Sequence, residues 1–314
     1  MIELNNKRVL LTGGAGFIGS NITGALLGKG SKVTVLDNLY TGFESLIPKH
    51  TNLTFIKGDI EDKNLVDELV SQNSLIIHAA AKNIIASTNN VRNDFETNIG
   101  GTLNLLIAAR KHKIEKFVYT GSASVYGNSS LIPVPENSPL YTLSPYAVSK
   151  LAGENYCSAF YETFDIPTTV VRYSNVYGIN QQINNPYCGV VPKIFESAIK
   201  NEPICIHGDG EQTRDFTFVR DAVNATIEAL VNPRSTGMIF NIGTGVEISV
   251  NELSRRIIAI TGSKSEIIHV DKRDIDNIRR RVMNIEQIRR ILKWSPLVTL
   301  YDGLMETYFW IKTT

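Results

Sequence analysis

The apolar run Val9-Leu10-Leu11 passes without interruption into Thr12-Gly13-Gly14-Ala15-Gly16-Phe17-Ile18-Gly19. A run of that length suits a buried parallel strand, and apolar residues at helical spacing from Phe17 to Leu27 suit a helix packed against it. The glycines between them dictate a tight strand-to-helix turn, in which missing side chains let backbone amides approach an anion at the helix N-terminus. The spacing is Gly13-x-x-Gly16-x-x-Gly19 rather than the standard Gly-x-Gly-x-x-Gly, so the turn gains its weight from the strand and the acid downstream of it. That second strand, Lys32 to Leu36, ends on Asp37, eighteen residues after Gly19. A carboxylate there can accept both hydroxyls of an adenosine ribose. Asn38 comes next, with no Arg or Lys beside it, which favours NAD over NADP because a 2′-phosphate would be repelled.

Alternation continues beyond this unit. Asn52 to Ile56 and Ser74 to Ile77 read as strands around a helix from Asp62 to Val70. Helical spacing from Val91 to His112 leads into a strand from Lys116 to Tyr119, and a helix from Pro145 to Phe164 leads into a strand from Pro167 to Arg172. This pattern predicts an α/β fold with a doubly wound parallel sheet, a Rossmann domain over residues 1–172 with a return segment near 216–245, and a smaller α/β C-terminal lobe over 173–314. Beyond Arg172 the pattern is irregular, and 180–186 is polar and turn-rich. Ligands of such sheets bind beyond the carboxyl ends of the strands, where Gly13, Asp37, Asp59, His78, Ser122 and Asn175 are expected to gather.

The 314 residues carry 32 Lys plus Arg against 31 Asp plus Glu, a balance that argues against nucleic acid or an anionic membrane as partner. No apolar stretch approaches the ~20 residues needed to cross a bilayer, and no signal-peptide pattern opens the chain, so a cytoplasmic location is expected. Cys157, Cys188 and Cys205 lack paired spacing, and no metal site is expected. Packing in the core is the expectation for all three.

The chemistry is carried by Tyr146-Ala147-Val148-Ser149-Lys150. Residues four apart share a helix face, so Tyr146 and Lys150 can address one pocket. A phenol ordinarily titrates near pH ~10, and a neighbouring ammonium favours its phenolate, which makes Tyr146 the expected general base. Ser122 lies in Thr120-Gly121-Ser122-Ala123-Ser124-Val125-Tyr126-Gly127, at an expected strand end, where its hydroxyl can bond the substrate oxygen that Tyr146 deprotonates; Ser124 is a second candidate.

With these segments in order, followed by Arg172-Tyr173-Ser174-Asn175-Val176-Tyr177-Gly178 and Gly208-Asp209-Gly210-Glu211-Gln212-Thr213-Arg214-Asp215-Phe216, the chain resembles the extended short-chain dehydrogenase/reductase superfamily over almost its whole length. Within it the resemblance is to the NAD-dependent nucleotide-sugar epimerase and dehydratase branch. The resemblance implies that Asp59 and Ile60 flank the adenine, that Ala79, Ala80 and Ala81 line the cofactor cleft with Phe17 and Ile18, and that Lys82 reaches the pyrophosphate. Lys150 would also bind the nicotinamide ribose, Asn98 and Tyr173 belong to the cofactor set, and Tyr177 would lie beside the nicotinamide. Asn175, Val190, His207 and Arg214 would hold a nucleotide sugar, UDP-linked by this analogy. The family segment Arg-Pro-Gly-Asp is replaced by Arg273-Asp274-Ile275-Asp276-Asn277, leaving Arg273 and Arg279 as substitutes for its phosphate-binding arginine. A homodimer through the Tyr146 helix and the preceding long helix is also implied.

The residues after Ser122 separate the branch's reactions. A 4,6-dehydratase needs an Asp-Glu pair there, and a decarboxylase resembles Thr-Ser-Glu, whereas this chain has Ala123 and Ser124. Epimerisation at carbon 4 needs only one base and one hydride acceptor. A UDP-glucose or UDP-N-acetylglucosamine 4-epimerase is therefore the expected activity, with a 4-keto-sugar reductase, a UDP-glucuronate epimerase or a non-enzymatic NAD-binding protein as alternatives. Residues 179–191 hold no Arg or Lys for a sugar carboxylate, although Arg281 can approach from the C-terminal lobe.

Overall fold

A computed structural model describes residues 1–183, 185, 189–272 and 277–313. In chain order the strands are β1 (Arg8–Thr12), β2 (Lys32–Asp37), β3 (Leu53–Lys57), β4 (Leu75–His78), β5 (Lys116–Ser122), β6 (Thr168–Tyr173), β7 (Asn175–Tyr177), β8 (Ile204–His207), β9 (Thr213–Arg214), β10 (Phe216–Phe218), β11 (Ile239–Ile242), β12 (Ile248–Ser249), β13 (Ile267–Val270) and β14 (Arg280–Arg281). The α-helices are α1 (Phe17–Gly28), α2 (Lys63–Ser71), α3 (Ile84–Asn89), α4 (Val91–Asp94), α5 (Thr102–His112), α6 (Pro145–Phe164), α7 (Val190–Lys200), α8 (Val219–Val231), α9 (Val250–Thr261), α10 (Glu286–Leu292) and α11 (Leu300–Thr313).

Seven strands form one parallel sheet in the order β11-β6-β5-β4-β1-β2-β3. Each face is covered, which explains why the strands read as nearly unbroken apolar runs. Because side chains alternate along a strand, Val9 and Leu11 enter the core on the α1 and α8 face, while Leu10 enters the core with Leu69 of α2, Leu105 of α5 and Cys157 of α6. The chain winds one way from β1 to β3 and the other from β4 onward, so the sheet reverses direction between β1 and β4. Doubly wound sheets open a crevice at that reversal, which here lies beside the Gly13 turn.

One expectation needs correction. The single helix expected from Val91 to His112 is α4 and α5 joined by a π-helical turn, Phe95–Gly101. At this turn Asn98 bonds the Lys82 backbone in both directions, and Gly101 lies so close to Ile60 that a Cβ would approach its Cδ1 to 2.4 Å. The widened turn serves that side-chain contact, which periodicity cannot register. The irregular half of the sequence also carries regular elements among its described residues. β11 completes the large sheet beside β6, α8 packs on α1, and β12-β9-β14 and β13-β8 form the small sheets of the C-terminal portion.

Helix α6 begins where Ser144 caps the Ala147 amide and Pro145 supplies a preset first turn. It approaches β5 so closely that a Cβ on Gly153 would stand 2.3 Å from the buried Tyr119 hydroxyl. Gly153→Ala is expected to lower stability by about 1–3 kcal/mol through overpacking. Chemical denaturation monitored by circular dichroism measures this, and an unchanged midpoint would show that the helix can shift without cost.

Candidate active site

The first half of the site is the crevice at the sheet reversal. Gly13 has φ +73°, and a Cβ there would meet the Ala80 amide nitrogen at 2.6 Å, so this turn admits only glycine next to the strand-β4 loop. A Cβ on Gly19 would lie 2.0 Å from the Gly13 carbonyl oxygen. Helix α1 starts at Gly16 with no side-chain cap and no acidic residue in its first turn. Its first amides and the positive end of its dipole are therefore left for an anion, as a dinucleotide pyrophosphate requires.

The crevice is lined by Gly13, Gly16, Phe17, Ile18, Gly19, Asp37, Asn38, Asp59, Ile60, Ala79, Ala80, Ala81 and Lys82, thirteen residues singled out from the sequence. Asp37 accepts hydrogen bonds from the Ala15 and Leu39 amides at 2.9 and 2.8 Å. Burial raises its pKa, against those two amides, and the neighbouring Asp59 adds to the rise. Asn38 donates to Asp59 at 2.6 Å, joining the β2 and β3 ends of the crevice. Tyr40, Thr41 and Phe43 after β2, and Asn180 and Gln181 from beyond β7, also line it. Sequence reasoning missed these because they come from loops without periodicity. Lys82 sits over the Tyr40 ring, its Nζ 3.4 Å from the centroid, so a cation and an aromatic face each other across the opening.

Asn98, Tyr146, Lys150 and Tyr173 do not line this part of the cleft. Asn98 accepts from the Lys82 amide at 2.7 Å and donates to Asp94 at 2.6 Å and to Ser149 at 3.1 Å. It thereby ties the crevice wall to α6. Tyr173, expected in the cofactor set, places its hydroxyl 2.5 Å from Thr226 in the core, so that group is committed away from the cleft. Tyr177 departs from the expectation that it lies beside the nicotinamide. Its ring packs edge-on against Phe216 and Phe218, its hydroxyl donates to the Leu300 carbonyl at 3.3 Å, and it is 1% exposed. That is a core position, reached because β7 pairs with β10 and carries the tyrosine beneath α11.

At the carboxyl end of β5, Ser122 caps the following turn by accepting from the Ser124 amide at 3.2 Å, while the Ser124 hydroxyl donates to Ser122 Oγ at 2.9 Å. Tyr146, in the first turn of α6, faces Ser122. Burial raises the phenol pKa, partly offset by the Ser122 hydroxyl and the Arg281 charge, while Asp94 and Glu154 raise it further. The expected depression of this phenol is thus absent from the protein's own surroundings, because loss of water and two carboxylates outweigh the cation. Lys150 is 3% exposed, with Nζ 4.2 Å from the Tyr119 ring centroid, and burial lowers its pKa to about 8. His78 bonds Thr12 at 2.7 Å and Thr102 at 2.9 Å, and burial lowers its pKa to about 3, so it is a neutral packing residue.

The residues expected to bind substrate are more dispersed. Asn175 begins β7 and Val190 begins α7. Arg214 is buried on β9, where it donates to the Thr213 and Ile278 carbonyls at 2.9 and 2.8 Å. The β9–β14 pairing sets Arg281 beside it. Arg279 is exposed and forms two bonds to Asp209, at 2.7 and 2.8 Å, and His207 is exposed at the end of β8. Arg273 lies outside the described residues, as does Cys188. Cys157 is buried as expected of a packing residue, but Cys205 is on the exposed side of β8.

Comparison with known proteins agrees with this geometry. Residues 9–243 match the NAD dependent epimerase/dehydratase family. The chain belongs to that family, and its cofactor is NAD. It is 35% identical to the UDP-N-acetyl-alpha-D-glucosaminuronate decarboxylase of Bacillus cytotoxicus, covering 98% of each chain. Identity to the UDP-glucose 4-epimerase of Mycolicibacterium smegmatis is also 35%, over 96% of this chain and 97% of that one. Among solved structures, the UDP-glucose 4-epimerase of Thermotoga maritima with UDP-glucose superposes with a TM-score of 0.92 at 32% identity, covering 98% of this chain and 99% of the other. The protein is therefore an enzyme of a nucleotide-sugar epimerase and dehydratase family. No helix among the described residues is long and apolar enough to cross a membrane.

Gly19→Ala is expected to weaken NAD binding by at least about tenfold, since about 1.4 kcal/mol suffices for that and the overpacking is against backbone. Isothermal titration with NAD tests it, and wild-type affinity would mean that the turn can open. NAD affinity is further expected to be level below about pH 8 and to fall as pH rises through that value, where Lys150 loses its proton. A level affinity into more alkaline solution would remove Lys150 from cofactor binding.

Proposed function

We propose that this enzyme inverts carbon 4 of a UDP-sugar, UDP-glucose/UDP-galactose or the N-acetyl forms, through a transient 4-keto sugar. The observation that carries the reading is the chemistry around Tyr146: one phenol, two hydroxyls and a lysine, with no carboxylic acid offered to the substrate by the segment after Ser122. The carboxylates that face Tyr146 are committed elsewhere. Asp94 accepts from Ser87, Asn98 and Ser149, and Glu154 accepts from Arg172. Dehydration needs an acid for the leaving hydroxyl and a base at a second carbon, and this set supports one proton transfer only.

In this reading Tyr146 takes the proton of the 4-hydroxyl, and Ser122 bonds the same oxygen and keeps it in line. Ser124, which donates to Ser122, orients that hydroxyl. NAD, when bound, supplies the hydride acceptor. Gly13, Gly16 and Gly19 hold the pyrophosphate against α1, Asp37 takes the adenosine ribose, and Lys150 takes the nicotinamide ribose. Arg214 holds the diphosphate of the sugar nucleotide by charge-assisted bonds. The keto sugar turns in the pocket before reduction on its other face, so there is no net redox change and the cofactor is retained.

A UDP-uronate is the second reading, favoured by one observation: buried Arg281 on β14 acts electrostatically on Tyr146 and is positioned to neutralise a carboxylate near the reacting carbon. A homodimer accompanies either reading. Val91 and Phe95 at the start of the α4–α5 segment, Ile107 on α5, and Val148, Tyr156 and Phe164 on α6 are exposed apolar side chains suited to a second copy.

The test is incubation of the purified protein with UDP-glucose, UDP-N-acetylglucosamine, UDP-glucuronate and a dTDP-sugar in turn, following products by proton NMR. Inversion at carbon 4 with unchanged mass is expected. A keto product, loss of mass or consumption of nicotinamide would move the enzyme to the dehydratase, decarboxylase or reductase chemistry. Tyr146→Phe is expected to reduce turnover by at least about 10²-fold while NAD stays bound, and substantial remaining turnover would reject Tyr146 as the base.

A further inference from the structure

Tyr146, Lys150 and Glu154 succeed one another at four-residue intervals on α6 and so share the helix face turned to the sheet. Glu154 is 1% exposed. Its Oε2 accepts from Arg172 of β6, from Nε at 2.9 Å and from Nη2 at 2.8 Å. Among the described residues its Oε1 makes no hydrogen bond of good geometry, and it lies against the end of β5, where the Ser122 amide acts on the carboxylate and a Cβ on Gly121 would be 2.5 Å away. A carboxylate buried this deeply is tolerated only beside compensating cations. Arg172 is one, and Lys150, a turn earlier on the same helix, is the other.

We propose that Glu154 is a positioning residue for the reaction, whose charge keeps the buried Lys150 a cation while its bonds to Arg172 hold α6 against the strands that end at Ser122 and Tyr173. This rests on the reading of Tyr146 and Lys150 given above. Lys150 is faced by Glu154 and Cys157 from its own helix, on which Tyr146 stands one turn earlier, by Asp94 from α4, by the Tyr119 ring from β5 and by His78 from β4. His78 is neutral, and burial holds the Cys157 thiol protonated. Asp94 is engaged by three side chains. Against the desolvation that lowers the Lys150 pKa, Glu154 is the largest opposing charge.

Arg172 is fixed from the other side. Its Nη1 donates to the Tyr126 hydroxyl at 2.7 Å and to the Glu136 carbonyl at 3.1 Å, and Tyr126 donates to Asn241 at 2.7 Å. Asn241 in turn donates to the Val134 and Asn284 carbonyls at 2.9 and 3.1 Å. The position of Glu154 is therefore set by a buried chain that runs to the segment between β14 and α10.

Glu154→Gln keeps the shape and removes the charge. Taking a negative charge from beside both Lys150 and Tyr146 lowers both pKa values, so the pH window of kcat, and the alkaline fall in NAD affinity, are expected to move about one pH unit toward acid. Glu154→Asp keeps the charge and is expected to retain the wild-type window with reduced kcat. A Glu154→Gln enzyme that is slower at every pH with unmoved limbs would overturn the proposal, as would equal shifts in the Gln and Asp variants. If Glu154→Gln does not fold because Arg172 is left unpaired, the double variant Glu154→Gln/Arg172→Met removes both charges; loss of the Arg172 cation works in the opposite sense but acts on Lys150 less than Glu154 does, so a smaller acid shift supports the proposal, and an unmoved window or an alkaline shift overturns it. Tyr146→Phe separates this from failure of the underlying reading, since turnover by that variant would reject the base itself, while an inactive Tyr146→Phe with an unshifted Glu154→Gln rejects only the role of Glu154.

Discussion

A parallel sheet can present chemistry only along its carboxyl edge, because its faces are covered by the helices that connect its strands. The site depends on that constraint. The ends of β1, β2, β3 and β4 build a dinucleotide crevice, and the ends of β5 and β6 stand next to it with Ser122 and Tyr173. What brings the Tyr146 phenol to that edge is the close seating of α6 on β5, made possible by Gly153 and held by the Glu154–Arg172 pair. Glu154, which joins helix to sheet through Arg172, is also the largest charge opposing the desolvation of Lys150.

Electrostatics divide the site into two kinds of environment. The cofactor end is assembled from backbone amides, with an uncapped helix start and a carboxylate, Asp37, already steadied by two amides. The Tyr146 end is a buried cluster of side chains in which desolvation raises Tyr146 and lowers Lys150 and His78. Fixed charges and dipoles in such water-poor surroundings act more strongly than in solution.

Much of the large sheet was legible in the chain because parallel strands buried on both faces are short apolar runs, and because glycines at a strand end announce a backbone approach. The segments Lys7 to Thr12, Lys32 to Leu36 and Pro145 to Phe164 lie within a residue or two of β1, β2 and α6. The crevice residues were legible for the same reason, each lying just past a strand end. The π-helical turn at Phe95–Gly101 was not, since it answers to Asn98 bonding a distant backbone. Tyr177 was misplaced because a residue following a strand near the rim can face either the cleft or the core, and the β7–β10 pairing sends it to the core. Glu154 carried a signal in its spacing from Lys150, but a glutamate at that interval on a helix reads equally well as a surface ion pair until its burial is known.

By itself the sequence determined the fold class, the dinucleotide turn and NAD as the cofactor, and it set Tyr146 and Lys150 one turn apart on one helix, since these are local: they depend on spacing within one strand, one turn or one helix. Tertiary structure alone decided which charges surround the phenol, where Arg214 and Arg281 meet, and that Glu154 joins Arg172 beneath the site. Those are contacts between elements far apart in the chain, and their strength depends on burial, which no local pattern encodes.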